Sequence, residues 1–156
     1  MSKPMAFAVD RSRTIISSLI HGRMVSGLDV AWLRREVFAD GEVSREAAEE
    51  LFAVERSDIV KAPAWTGFFV EMITEHVVWR SQPTGVVGEE QAAWLIAQAD
   101  LTMSVDALAV LVNVLAEADR VPHWFVGAVA ARAKRGWPGV DAALLAAARG
   151  AIPAFG

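Results

Sequence analysis

A stretch of about sixty residues is written twice in this chain, and the repeat limits the fold more than any other feature. Ala31-Trp32-Leu33 returns as Ala93-Trp94-Leu95, and Pro63-Ala64-Trp65 returns as Pro122-His123-Trp124. A helix-start grammar accompanies them: an apolar residue, a small residue, then a Leu seven positions on. It occurs at Ser26 with Leu33, Ser44 with Leu51, Gly88 with Leu95 and Ser104 with Leu111. Each copy therefore predicts three helices. Two copies are too few for an open solenoid, which needs more repeats to bury its faces. The expected architecture is an all-α single-domain bundle with a pseudo-twofold relation between its halves.

The copies span about residues 22–80 and 84–137, with the polar, Pro- and Gly-bearing stretch 81–85 between them. Residues 1–27 read as a tail and a short lead-in, and the helical domain as 28–150. Helices are expected at 28–39, 44–56, 63–79, 89–99, 104–118 and 122–135. A last one, 140–149, ends at Gly150 with Pro153 beyond, which brings the total to about seven. Val30, Leu33, Val37 and Phe38 form the inward face of the first helix. Ala47, Ala48, Leu51, Phe52 and Val54 form that of the second. The third carries Trp65, Phe68, Phe69, Met72, Ile73, His76 and Val77. Gly67, in that helix, predicts a close helix–helix approach, and Gly127 falls near the same level of the matching helix. Strand signals are nearly absent, with no sustained period-two alternation.

Composition removes several functions. With no Cys, the chain has no disulfide, thiolate zinc site or Cys nucleophile. A net charge of −4 gives no electrostatic reason to bind nucleic acid. The most apolar run, 105–118, is interrupted by Asp106, Asn113 and Glu117, and is shorter than the ~20 residues that cross a bilayer. It reads as a central core helix. No secretory leader pattern opens the chain, so the expected location is cytoplasmic.

The leading candidate site is an acidic turn. Asp40-Gly41 is a turn signal, because Gly takes positive φ freely and Asp hydrogen-bonds its own turn. Ser44 reads as the N-cap of the next helix. Glu46 adds negative charge to the first turn, where the helix dipole favours it. Ala47 stands where a capping box would have Glu, so the box is incomplete. Asp40, Glu42, Glu46, Glu49 and Glu50 lie close together in sequence, and hard cations take several oxygen ligands on a bent loop. Placing Gly41 at the sixth position of a calcium loop tests that analogy. Phe38 then falls at the third ligand position and Ala47 at the twelfth, so the bidentate carboxylate is missing and the loop is no EF-hand. The simplest alternative is a solvated helix face.

No Walker loop, Gly-x-Ser-x-Gly elbow or His-Glu-x-x-His occurs. His21, His76 and His123 are dispersed, and a lone helical His such as His76 is more often a packed residue with one satisfied hydrogen bond. The six Trp fall mostly at matching places, which core packing explains first. Trp32 and Trp94 stand one residue before a core Leu, toward a flank, while Trp79 and Trp137 end their helices. An exposed Trp edge would suit a protein partner or a homodimer.

A short Asp-Gly-x-Val-Ser turn between helices, in a duplicated all-α chain, resembles the TerB-like family of tellurite-resistance-associated proteins. The residues that carry the likeness are Ala39-Asp40-Gly41-Glu42-Val43-Ser44-Arg45-Glu46-Ala47, with an echo at Asp100-Leu101-Thr102-Met103-Ser104-Val105-Asp106-Ala107. The resemblance implies a bacterial stress-associated module that binds metal through acidic residues or assembles with partners. It carries over to Asp40, Glu42 and Glu46 as ligands of a divalent cation or contacts for a basic partner. The echo lacks the Gly and most of the acids, so a metal site shared between the copies is not expected. The function expected from the sequence is a non-enzymatic binding or scaffold module. The alternatives are a small helical hydrolase-type enzyme using carboxylates with His76, or a purely structural homo-oligomer.

Overall fold

The computed structural model describes residues 24–80 and 82–134. Six α-helices dominate these residues, so the protein is all-α. The expected seventh helix, 140–149, lies outside the described residues, as do His21, Trp137 and residues 1–23 of the tail and lead-in. The chain forms two compact units, residues 1–76 and 77–156.

In the first unit, strand β1 (Met24–Val25) precedes α1 (Gly27–Trp32), whose axis continues through a π-helical turn, Leu33–Val37. Helix α2 (Arg45–Arg56) follows, then strand β2 (Val60–Lys61) and α3 (Ala64–Thr74). A second π-helical turn, Glu75–Trp79, extends α3 and carries the chain onward. β1 and β2 pair in parallel, Met24 with Val60 and Val25 with Lys61. Ala62 N–H adds a bond to Val25 O at 2.8 Å. Strands of two residues are too short to show an alternation in the sequence, in keeping with its scarcity of strand signals.

Each helix has a local cause. Ser26 Oγ accepts Asp29 N–H at 3.1 Å, and Asp29 Oδ2 accepts Ser26 N–H at 2.9 Å, a complete capping box on α1. Ser44 Oγ accepts Ala47 N–H at 3.1 Å on α2, without the reciprocal carboxylate. Helix α2 buries Ala47, Ala48, Leu51, Phe52 and Val54, the face its spacing predicts. Helix α3 buries Trp65, Phe68, Phe69, Met72 and Ile73, and Phe52 meets Phe69 edge-on at 5.0 Å. Arg34 reaches from the π turn after α1 to Glu71 at 2.8 Å, with its guanidinium over the Phe68 ring. Val30, Leu33 and Phe38 are buried as expected, while Val37 is only half-buried because the wider π turn rotates it off the core face.

The second unit repeats the order with α4 (Glu89–Thr102), α5 (Val105–Glu117) and α6 (Phe125–Ala133). A parallel bridge, Val86 with Arg120, stands where Met24 and Val60 pair in the first unit. The turn before α4 depends on Gly85, whose φ is +84. Its carbonyl accepts the N–H groups of Asp119 and Arg120, and an added Cβ would fall 2.6 Å from Asp119 Oδ2. Ser104 Oγ accepts Ala107 N–H at 3.1 Å, capping α5. Helix α5 buries Ala107, Leu108, Val110, Leu111, Val112 and Val114, as a core helix should. Arg132 of α6 grips Asp100 of α4 through two bonds, 2.7 and 2.8 Å.

Two expectations are corrected. Gly67 and Gly127 are exposed, and a Cβ on either would meet nothing within 4 Å, so neither marks a close approach among the described residues. Helix α4 runs past the expected stop at 99 to Thr102, because the following residues supply an ending that the chain otherwise lacks. That ending is Met103 in the left-handed conformation, φ +49, with its N–H on Ala99 O at 2.8 Å. No described helix is long and apolar enough to cross a membrane.

Candidate functional site: the acidic turn

The π turn ends α1 early, since Phe38 N–H closes onto Leu33 O at 2.9 Å. The chain then turns outward. Gly41 N–H bonds Phe38 O at 3.0 Å, and Gly41 takes φ +75, a value that side-chain-bearing residues adopt with strain. Asp40 Oδ1 accepts Glu42 N–H at 3.0 Å, the local turn expected of Asp before Gly. Val43 is fully buried and fixes the turn to the core. One residue on, Ser44 caps α2.

This construction sorts the five candidate acids. Asp40 and Glu42 are exposed on the turn, and Glu46 is exposed on the first turn of α2. Glu49 and Glu50 are half-buried one turn further along, each engaged in interactions of its own. The set lines one run of surface but does not converge. Among the described residues, no three His, Asp or Glu side chains are grouped so that they could hold a metal ion.

His76 lies behind the turn, in the π turn that follows α3. It is 5% exposed, and Nδ1 is 2.7 Å from Val43 O. The sequence places it on an apolar face with one hydrogen bond satisfied, and that is its setting. The sequence does not reveal that its partner is the backbone of the acidic turn, thirty-three residues away. No local signal could do so, because only tertiary packing sets that contact.

The tryptophans divide by depth. Trp65 is 1% exposed, stacked on Phe69 at 5.7 Å, with its indole N–H on Glu55 Oε1 at 2.7 Å. Trp94 is buried and Trp32 half-buried. Trp124 is half-buried and donates to Glu89 Oε1 at 2.8 Å. Trp79 is exposed and donates to Glu117 Oε1 at 2.8 Å, and Asn113 holds the other oxygen at 3.1 Å. Comparison of the chain with family models, with curated proteins and with solved structures gives no match.

Proposed function

We propose that this chain is a non-catalytic binding module of the TerB-like kind, which takes up a basic protein segment at its acidic turn. The observation that carries the reading is the form of the turn. Asp40, Glu42 and Glu46 are exposed on a backbone held by Gly41, by the Asp40 turn and by the Ser44 cap. A preformed anionic surface loses little conformational entropy on binding. Lysine and arginine side chains can each meet a separated carboxylate. A single cation needs several oxygens at one point, and these acids are spread along the surface. A basic partner therefore fits better than a divalent ion. A catalytic role for His76 is disfavoured by its burial and by the use of Nδ1 to hold the turn. The half-exposed rings of Trp79 and Trp124 support a second contact, with a partner or another copy, on the second unit. A stress-associated, cytoplasmic, bacterial setting is part of this reading and rests on the resemblance in sequence.

The test is titration of the full chain with a synthetic lysine-rich peptide, followed by anisotropy at low and physiological salt. The D40N/E42Q/E46Q triple variant should bind several-fold more weakly and with a shallower salt dependence. Equal binding by the variant and the parent would sink the reading. A parallel thermal melt of chelated protein with Ca²⁺, Mg²⁺, Mn²⁺ or Zn²⁺ decides the cation alternative. A shift of several degrees for one ion, lost in Asp40→Asn, would replace the basic partner with a metal.

A further inference from the structure

We infer that His76 is a positioning residue for the acidic turn: its Nδ1–H, donated to Val43 O, holds the turn in the shape that presents Asp40 and Glu42. The inference deepens the basic-partner reading and rests on it for its functional consequence, but the latch itself stands on geometry. Val43 lies between Glu42 and the Ser44 cap, so its carbonyl is part of the turn's own backbone. A carbonyl oxygen only accepts. The 2.7 Å contact therefore requires the proton on Nδ1, the tautomer that free imidazole populates less. The Val43 side chain is fully buried and the imidazole nearly so, which shields the bond from competing water. The other bonds of the turn, Glu42 N–H to Asp40 and Gly41 N–H to Phe38 O, are local. His76 adds a long-range anchor, from the end of α3, at the point where the turn enters α2.

The contact also gives a buried polar side chain on an otherwise apolar face a partner. Phe in its place would fill the volume but leave the Val43 carbonyl without this donor, and a buried unsatisfied acceptor is costly. Asn keeps an N–H donor at nearly the place of Nδ1. The pair of substitutions separates volume from hydrogen bonding.

The experiment uses the full chain with labelled histidine. Imidazole carbon and nitrogen shifts should report the Nδ1–H tautomer for His76 at neutral pH. In His76→Phe, amide exchange at Gly41, Glu42 and Ala47, the N–H groups that the turn bonds, should rise about tenfold or more, while exchange at Leu51 and Phe69 changes far less. His76→Asn should restore most of the protection. Affinity for the lysine-rich peptide should follow the same order, parent and Asn above Phe. The Nε2–H tautomer, or a turn equally protected in His76→Phe, would overturn the latch. If His76→Phe fails to fold, the parent's tautomer and the protection of the turn in His76→Asn still decide the question. Peptide binding that fails in the parent, with tautomer and exchange as expected, removes the basic-partner reading and upholds the latch.

Discussion

The two turns that join the first and second helices of each repeat share an Asp at one end and a Ser cap at the other, and differ in between. Asp40-Gly41-Glu42-Val43-Ser44 corresponds to Asp100-Leu101-Thr102-Met103-Ser104. Both end on a Ser whose Oγ accepts an N–H three residues later, at 3.1 Å in each. What differs is where the preceding helix stops. In the first repeat a π turn ends it at Val37, and the left-handed residue is Gly41. In the second the helix runs to Thr102, and Met103 must take the left-handed conformation. Asp40 consequently bonds its own turn and faces solvent, whereas Asp100 remains on a helix and is taken by Arg132. Leu101 and Met103 are left exposed, at 68% and 49%, where the first turn exposes Gly41 and buries Val43. One cap chemistry thus serves a presenting turn and a structural one, and the stop signal before it makes the choice.

The same contrast holds at the start of each third helix, and substitutions there should show the largest difference. Trp65→Ala removes a buried ring and its bond to Glu55, and should cost about 3–5 kcal/mol in urea unfolding. Trp124→Ala, on a half-buried ring, should cost no more than about 2 kcal/mol. Equal costs would break the comparison. Arg132→Ala should cost about 1.5–3 kcal/mol, since it removes two charge-assisted bonds, whereas Asp40→Ala should cost under about 1 kcal/mol. The hydrogen bond to Asp100, with its charge, holds the Arg132 guanidinium above its already high ordinary pKa. A group raised on folding stabilises at every pH below its unfolded pKa and loses that contribution only as pH climbs through the folded one. The difference between Arg132→Ala and the parent, set by this guanidinium, should therefore be flat across neutral pH and shrink in strong alkali.

Ser44→Ala and Ser104→Ala should each cost about 1 kcal/mol, because the two caps share one geometry. A clear inequality between them in thermal melts would show that the turns differ in more than the preceding stop. Met103→Gly should gain about 1 kcal/mol by relieving a side chain at positive φ, and Gly41→Ala should lose about as much. The smallest effects belong to the exposed glycines. Gly67→Ala should stabilise by under about 1 kcal/mol, and Gly127→Ala by rather less, since it lies closer to a helix end. A loss at Gly67 would restore the close approach that the sequence suggested.

Much of the fold was legible because its causes are local. The Ser caps, the Asp40-Gly41 turn and the buried faces of α2, α3 and α5 each follow from residues within two helical turns of one another. Of the candidate site, the turn and its exposed acids were legible for the same reason. Their failure to converge was not, because convergence depends on the path of the backbone between them. The early π stop of α1 and the overrun of α4 were also hidden. Leu33 and Leu95 obey one grammar, and no residue between Leu95 and Met103 breaks a helix.

The sequence by itself determined the helical class, the order of the helices in each repeat and the placing of the caps, since a hydroxyl three residues before an N–H needs nothing from the rest of the chain. Only the tertiary structure decided which repeated Trp is core, which Asp is paired and where His76 sends its hydrogen bond. Those outcomes depend on groups distant in sequence, whose approach is set by packing, and a repeat copied in sequence does not copy its neighbours.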